Sequence, residues 1–188
     1  MISALDPQTA LVLIDLQEGI IRVPRAHDTH IVVHHCIRLM EAFHQASLPV
    51  IIVNVDPQGA FWTHSRKDFH TASSSQAPDF TQIIPELPCT KEDRFITKKT
   101  WNAFFETPLH TYLQEGRITG IVLGGIATSI GVEGTARAAS ELGYNVSFAV
   151  DAMSDSTLAA HEHSLNVIFP RIGESGETTD ILRALAQR

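Results

Sequence analysis

"GIVLGGIATSIGVEGTARAASELGYNVSFAVDA", residues 120–152, decides how this chain folds. It opens on the apolar run Ile121-Val122-Leu123, breaks at Gly124-Gly125, and after a short polar turn becomes a helix of small residues. Gly143 follows that helix as a C′ glycine would, and a second largely apolar run starts at Val146. Continuous apolar runs suit strands covered on both faces, as in parallel sheets, and strand–turn–helix–strand is the βαβ unit. The turn between strand and helix is a place where enzymes often present a nucleophile. Its centre here is Gly131, which has no side chain to offer.

The same alternation continues outward. Strands are predicted at 10–15, 50–55, 94–98, 120–125 and 145–152. Helices are predicted at 29–46, behind Asp28 as a cap, at 107–115, 130–142 and 156–168, and in the terminal TTDILRALAQR. Alternating β and α segments give an α/β protein with three layers and a mainly parallel central sheet. No repeat or linker divides the chain, so residues 1–188 are read as one domain, long enough to bury about 70% of its unfolded surface. The long polar segment 56–93 is either a substrate-covering excursion or a solvated insertion, and the sequence leaves both open.

With 44% hydrophobic and 19% charged residues, the composition is that of a globular protein. A formal net charge of −7 without a Lys/Arg cluster argues against nucleic-acid binding. No apolar run is long enough to span a membrane, and the N-terminus lacks the pattern of a signal peptide, so a cytoplasmic location is expected. The two cysteines form neither a disulfide framework nor a metal motif: Cys36 reads as a packed thiol and Cys89 as a loop residue.

Ligands of open parallel sheets bind beyond the carboxyl ends of the strands. There the first strand delivers Asp15, the third Lys98 and Lys99, the fourth the GGIATSIG turn, and the fifth Asp151. An aspartate can merely cap a turn, a lysine can be solvated and a glycine turn can simply pack closely, so the constellation says more than its members. Other signatures fail. The turn has neither dinucleotide-binding nor phosphate-loop spacing, and no G-x-S-x-G elbow occurs. The ten histidines, including His34-His35 and His161-Glu162-His163, lack the H-E-x-x-H spacing of a zinc site, so no metal and no cofactor is expected.

LVLIDLQ, then ITKKTWNAF, then IVLGGIATSIGVEGTARAASELGYNVSFAVDAMSD together resemble the isochorismatase-like hydrolase family from about Ala10 to Ile168. The resemblance implies a Rossmann-like α/β/α sandwich, a tendency to homo-oligomers and a catalytic Asp–Lys–Cys set. Asp15 falls on the Asp position, Lys98 on the Lys position, and Gly131 on the Cys position. Amide-cleaving members need that thiolate, and their metal-binding D-x-H pattern is missing from VNVDPQGAF. True isochorismatases are similar to this chain in carrying Gly there. They cleave a vinyl ether by protonating carbon and adding water.

On that pattern Asp15 acts as proton donor or water-activating base and Lys98 holds its carboxylate. The missing side chain at Gly131 makes room for a small anionic substrate, and helix-start N–H groups polarise it. Substrate contacts are expected from Ile126, Ala127, Thr128 and Trp101, with a cis peptide between Ile126 and Ala127. Thr128 and Ser129 offer hydroxyls with no evident neighbouring base. A family member that binds without turnover is the other reading.

Overall fold

The six residues Thr9–Ile14 form β1, buried throughout. Leu11 and Leu13 enter one apolar layer while Ala10, Val12 and Ile14 enter the other, the period of two that a strand covered on both faces requires. The computed structural model of the chain describes residues 2–68 and 77–188. After β1 come a single helical turn, α1 (Glu18–Ile21), and the long α2 (Thr29–Gln45), whose Asp28 cap accepts from His30 N at 2.8 Å. There follow β2 (Val50–Val55), β3 (Arg94–Lys98), α3 (Leu109–Glu115), β4 (Gly120–Ile126) and α4 (Glu133–Glu141). The chain closes with β5 (Asn145–Ser154), α5 (Leu158–His163), β6 (Glu174–Gly176) and α6 (Thr178–Ala186).

The strands lie in the order β3-β2-β1-β4-β5-β6, with every neighbouring pair parallel. Residues of α2 and α6 pack on one face, and those of α3 and α4 on the other. This is the expected three-layer α/β/α sandwich. Strand order reverses between β1 and β4, and open α/β sheets ordinarily bind ligands at the carboxyl ends of such a switch point. There Gly125, at φ +111°, lets β4 approach β1 so near that a β-carbon would lie 2.1 Å from Ile14 O.

The predicted helices are trimmed or divided. Pro108 takes the cap position of α3, so that helix starts at Leu109. The predicted 130–142 helix is a π-helical turn, Thr128–Val132, running into α4, and the predicted 156–168 helix is α5 followed by a second π turn, Ser164–Ile168. The short strand β6 was not anticipated.

Candidate functional site

Asp15 leaves the end of β1 in a left-handed conformation, φ +54°, uncommon for a residue with a side chain and often found at functional sites. Its amide donates to Val53 O at 2.8 Å, which fixes the turn against β2. Lys98 ends β3, two strands away, a separation of about 9.5 Å at ordinary strand spacing. Its long side chain crosses the end of β2, and Nζ reaches Asp15 Oδ2 at 2.9 Å and donates to Trp101 O at 2.7 Å. Lys98 is 1% exposed and Asp15 6%, so the pair sits out of bulk water. Burial pushes the Asp15 carboxyl up to about 6, against the attraction and hydrogen bond of Lys98. Asp15 Oδ1 is buried with no hydrogen-bond partner among the described residues.

Gly131 is brought to this pair. A β-carbon there would lie 3.1 Å from Lys98 Nζ and 3.3 Å from Asp15 Oδ2, so the turn forms a wall of the pair. The missing side chain does not leave a void, however. The same β-carbon would meet Ile14 Cγ2 at 2.7 Å, and the space is already filled.

The peptide between Ile126 and Ala127 is cis, where it was expected. Ile126 and Thr128 are buried whole, backbone included, and of the three residues only Ala127 is partly exposed. Turn N–H groups are less available than expected: Ser129 N donates to Asp155 Oδ2, and Ile130 N and Val132 N both donate to Ala127 O. Trp101 presents a half-exposed indole, edge-on to Trp62 at 6.4 Å between ring centres. Trp62 Nε1 in turn donates to Lys99 O at 2.6 Å.

Two residues assigned to this edge by sequence belong elsewhere. Lys99 is half exposed and turns outward to Asp56 and Gln58 O. Asp151 does not end β5, because the strand continues to Ser154 after a register break against β4. It lies within the strand and accepts from Thr178 N and Oγ1 at 2.7 and 2.8 Å, with His35 Nδ1 at 3.3 Å. Asp155 takes the place predicted for Asp151. It is buried, and its Oδ2 accepts from Ser129 N at 2.6 Å.

Thr128 also has a neighbouring base. Its Oγ1 is 2.8 Å from Nδ1 of the buried His161. Ser129 is tied by its amide instead. A further residue not recognised from sequence is Gln17, fully buried two places after Asp15. Its amide bonds Val55 N, Val55 O and Phe80 O, and so pins the far limb of the 56–93 segment beside the Asp15 turn. Trp62 anchors the near limb beside Trp101.

Among the described residues no group of three His, Cys, Asp or Glu is placed to hold a metal. His64 ends the 3₁₀ turn Phe61–His64, and His70 lies outside the described residues. Cys36 is buried on α2, donates to Ala152 O and has its thiol pushed up by burial, while Cys89 is exposed in its loop. Among the described residues no helix is long and apolar enough to cross a membrane.

The isochorismatase domain model matches residues 9–180. An uncharacterised isochorismatase family protein of Bacillus subtilis is 39% identical over 178 residues, covering 93% of each chain. A "Probable inactive nicotinamidase" of Arabidopsis thaliana is 29% identical over 164 residues, 81% of this chain and 84% of that one. The solved structure of an isochorismatase family protein from Burkholderia thailandensis superposes with a TM-score of 0.92 at 37% identity, covering 97% of this chain and 98% of its own. With the domain match spanning nearly the whole chain and the fold agreeing throughout, this chain belongs to the isochorismatase family.

Proposed function

We propose that the chain hydrolyses a small anionic metabolite without a cysteine nucleophile, using Asp15 and Lys98 as an acid–base pair and water as the attacking group. The observation that carries this is the buried contact of 2.9 Å between Asp15 Oδ2 and Lys98 Nζ. Buried charges that serve no purpose are costly to keep, and a carboxyl near 6 is available both as acid and as base around neutral pH. Lys98 occupies Oδ2, so the unpartnered Oδ1 is the oxygen that carries the proton to substrate. On a vinyl ether, that proton goes to the terminal carbon and leaves an oxocarbenium ion. Water adds to the cationic carbon and returns its proton to Asp15. The hemiketal then breaks its carbon–oxygen bond to give a carbonyl and an alcohol. Gly131 stands at the position where amide-cleaving relatives need a thiol, and offers no side chain there as a nucleophile.

A second reading, a metabolite-binding protein without turnover, is favoured by the Arabidopsis relative's name. Mass spectrometry of pooled anionic metabolites incubated with the protein separates the two. Depletion of one compound by the wild type, absent with Asp15→Asn and Lys98→Met, supports hydrolysis. A compound retained on the wild-type protein but never consumed supports the second reading and overturns the first.

A further inference from the structure

We infer that His161, acting through Thr128, is a positioning residue: with Asp155 and Ser164 it clamps the Gly131 turn against the Asp15–Lys98 pair. Three side chains from one short segment grip the turn on both sides of its glycine. His161 Nδ1 meets Thr128 Oγ1 at 2.8 Å, Asp155 Oδ2 accepts from Ser129 N at 2.6 Å, and Ser164 Oγ donates to Glu133 Oε2 at 2.7 Å. His161 and Ser164, three residues apart, share a helix face. All three gripping residues are buried, so each lost bond would strand a polar group out of water.

The turn needs this support because its own bonding is thin. It is π-helical, a conformation rare in proteins and frequent at functional sites. Its Ile130 and Val132 amides converge on the single acceptor Ala127 O. The clamp also reaches the loop downstream of Asp15. The His27 ring lies edge-on to His161 at 4.6 Å, and its backbone N and Nδ1 are each 3.1 Å from Ser154 Oγ. Burial, with His27 beside it, holds the His161 imidazole below the ordinary histidine range, against the opposing pull of Asp155 and Glu162. The His161 imidazole is therefore neutral at pH 7 and holds Thr128 by a hydrogen bond rather than by charge.

The consequence is read at Asp15. Burial is the largest cause of its raised pKa, and the Gly131 turn is part of what buries it. A loosened turn admits water, and the carboxyl falls toward its ordinary range. The inference rests on Asp15 as the proton carrier, but its test needs no substrate, so turnover and positioning can fail separately. The experiment is a ¹³C carboxyl titration of Asp15 by NMR in the folded protein. Thr128→Val, which keeps shape and loses the hydroxyl, should lower the midpoint by about one pH unit, and Thr128→Ser should leave it unchanged. His161→Gln, whose amide reaches the Nε2 position, should behave as Thr128→Val. His161→Asn, whose amide reaches the Nδ1 position, should behave as wild type. If Thr128→Val does not fold, the His161 pair gives the result alone. An unchanged midpoint in the folded Thr128→Val or His161→Gln protein would overturn the role, even if thermal stability dropped. A fall of equal size in Thr128→Ser would overturn it as well.

Discussion

Ile14 stands where a side chain on Gly131 would go: its Cγ2 is 2.7 Å from the position of the missing β-carbon. Ile14 is fully buried and β-branched, so it has little freedom to move aside. Gly131→Ala should therefore cost about 1–3 kcal/mol of stability by overpacking, measured by urea unfolding. The same change should cost about 1 kcal/mol less in an Ile14→Ala background. Additive costs would show that the crowding lies elsewhere.

The raised Asp15 pKa makes a prediction about stability with a definite sign. Folded, Asp15 titrates at about 6; the ordinary value is 3.8. Between those values the folded protein holds a proton that the unfolded chain has released, so this contribution is full below about pH 4 and lost as pH rises through 6. Relative to Asp15→Asn, which lacks the titration, wild-type stability should fall by about 2–3 kcal/mol from pH 4 to pH 7. A flat difference between the two proteins, measured by chemical unfolding across that range, would contradict the burial assigned to Asp15.

Lys98 opposes that burial effect, so its removal should push Asp15 further in the same direction. In Lys98→Met the carboxyl loses both its attraction and its hydrogen bond, and its titration midpoint should move above 6. A midpoint that stays put in the ¹³C titration would mean the two side chains are not in contact in solution.

Much of this site can be read from the sequence because Asp15, Lys98 and Gly131 each lie at the end of a strand or in the turn after one, where short apolar runs mark position well. The chain direction then brings them together. Asp151 and Asp155 show where this fails. Both lie in AVDAMSD, and the pattern cannot reveal a register break that carries β5 on to Ser154. The π turns were invisible because small residues at helical spacing fit either winding. β6 is only Glu-Ser-Gly, without an apolar run to announce it. His161 beside His163 was set aside for want of metal-site spacing, and its actual partner, Thr128, is 33 residues away. Gln17 carried no signal in the sequence, yet its amide is spent on backbone groups of β2 and the long excursion.

Metal dependence gives a separate check. The described residues hold no group suited to an ion, and the proposed chemistry uses none. Dialysis against a chelator should leave turnover and thermal midpoint unchanged. Loss on chelation with recovery on adding zinc or iron would place a metal in the reaction.

Hydrolysis by Asp15 and water, as proposed, forms no covalent bond between substrate and protein. The most direct measurement is turnover of the depleted metabolite in H₂¹⁸O, with mass analysis of the product and with the protein left untreated or alkylated by iodoacetamide. One ¹⁸O is expected in the carbonyl product after a single turnover, unaltered by alkylation, and no product from Asp15→Asn. Product formation that survives Asp15→Asn, or that alkylation abolishes, would contradict it.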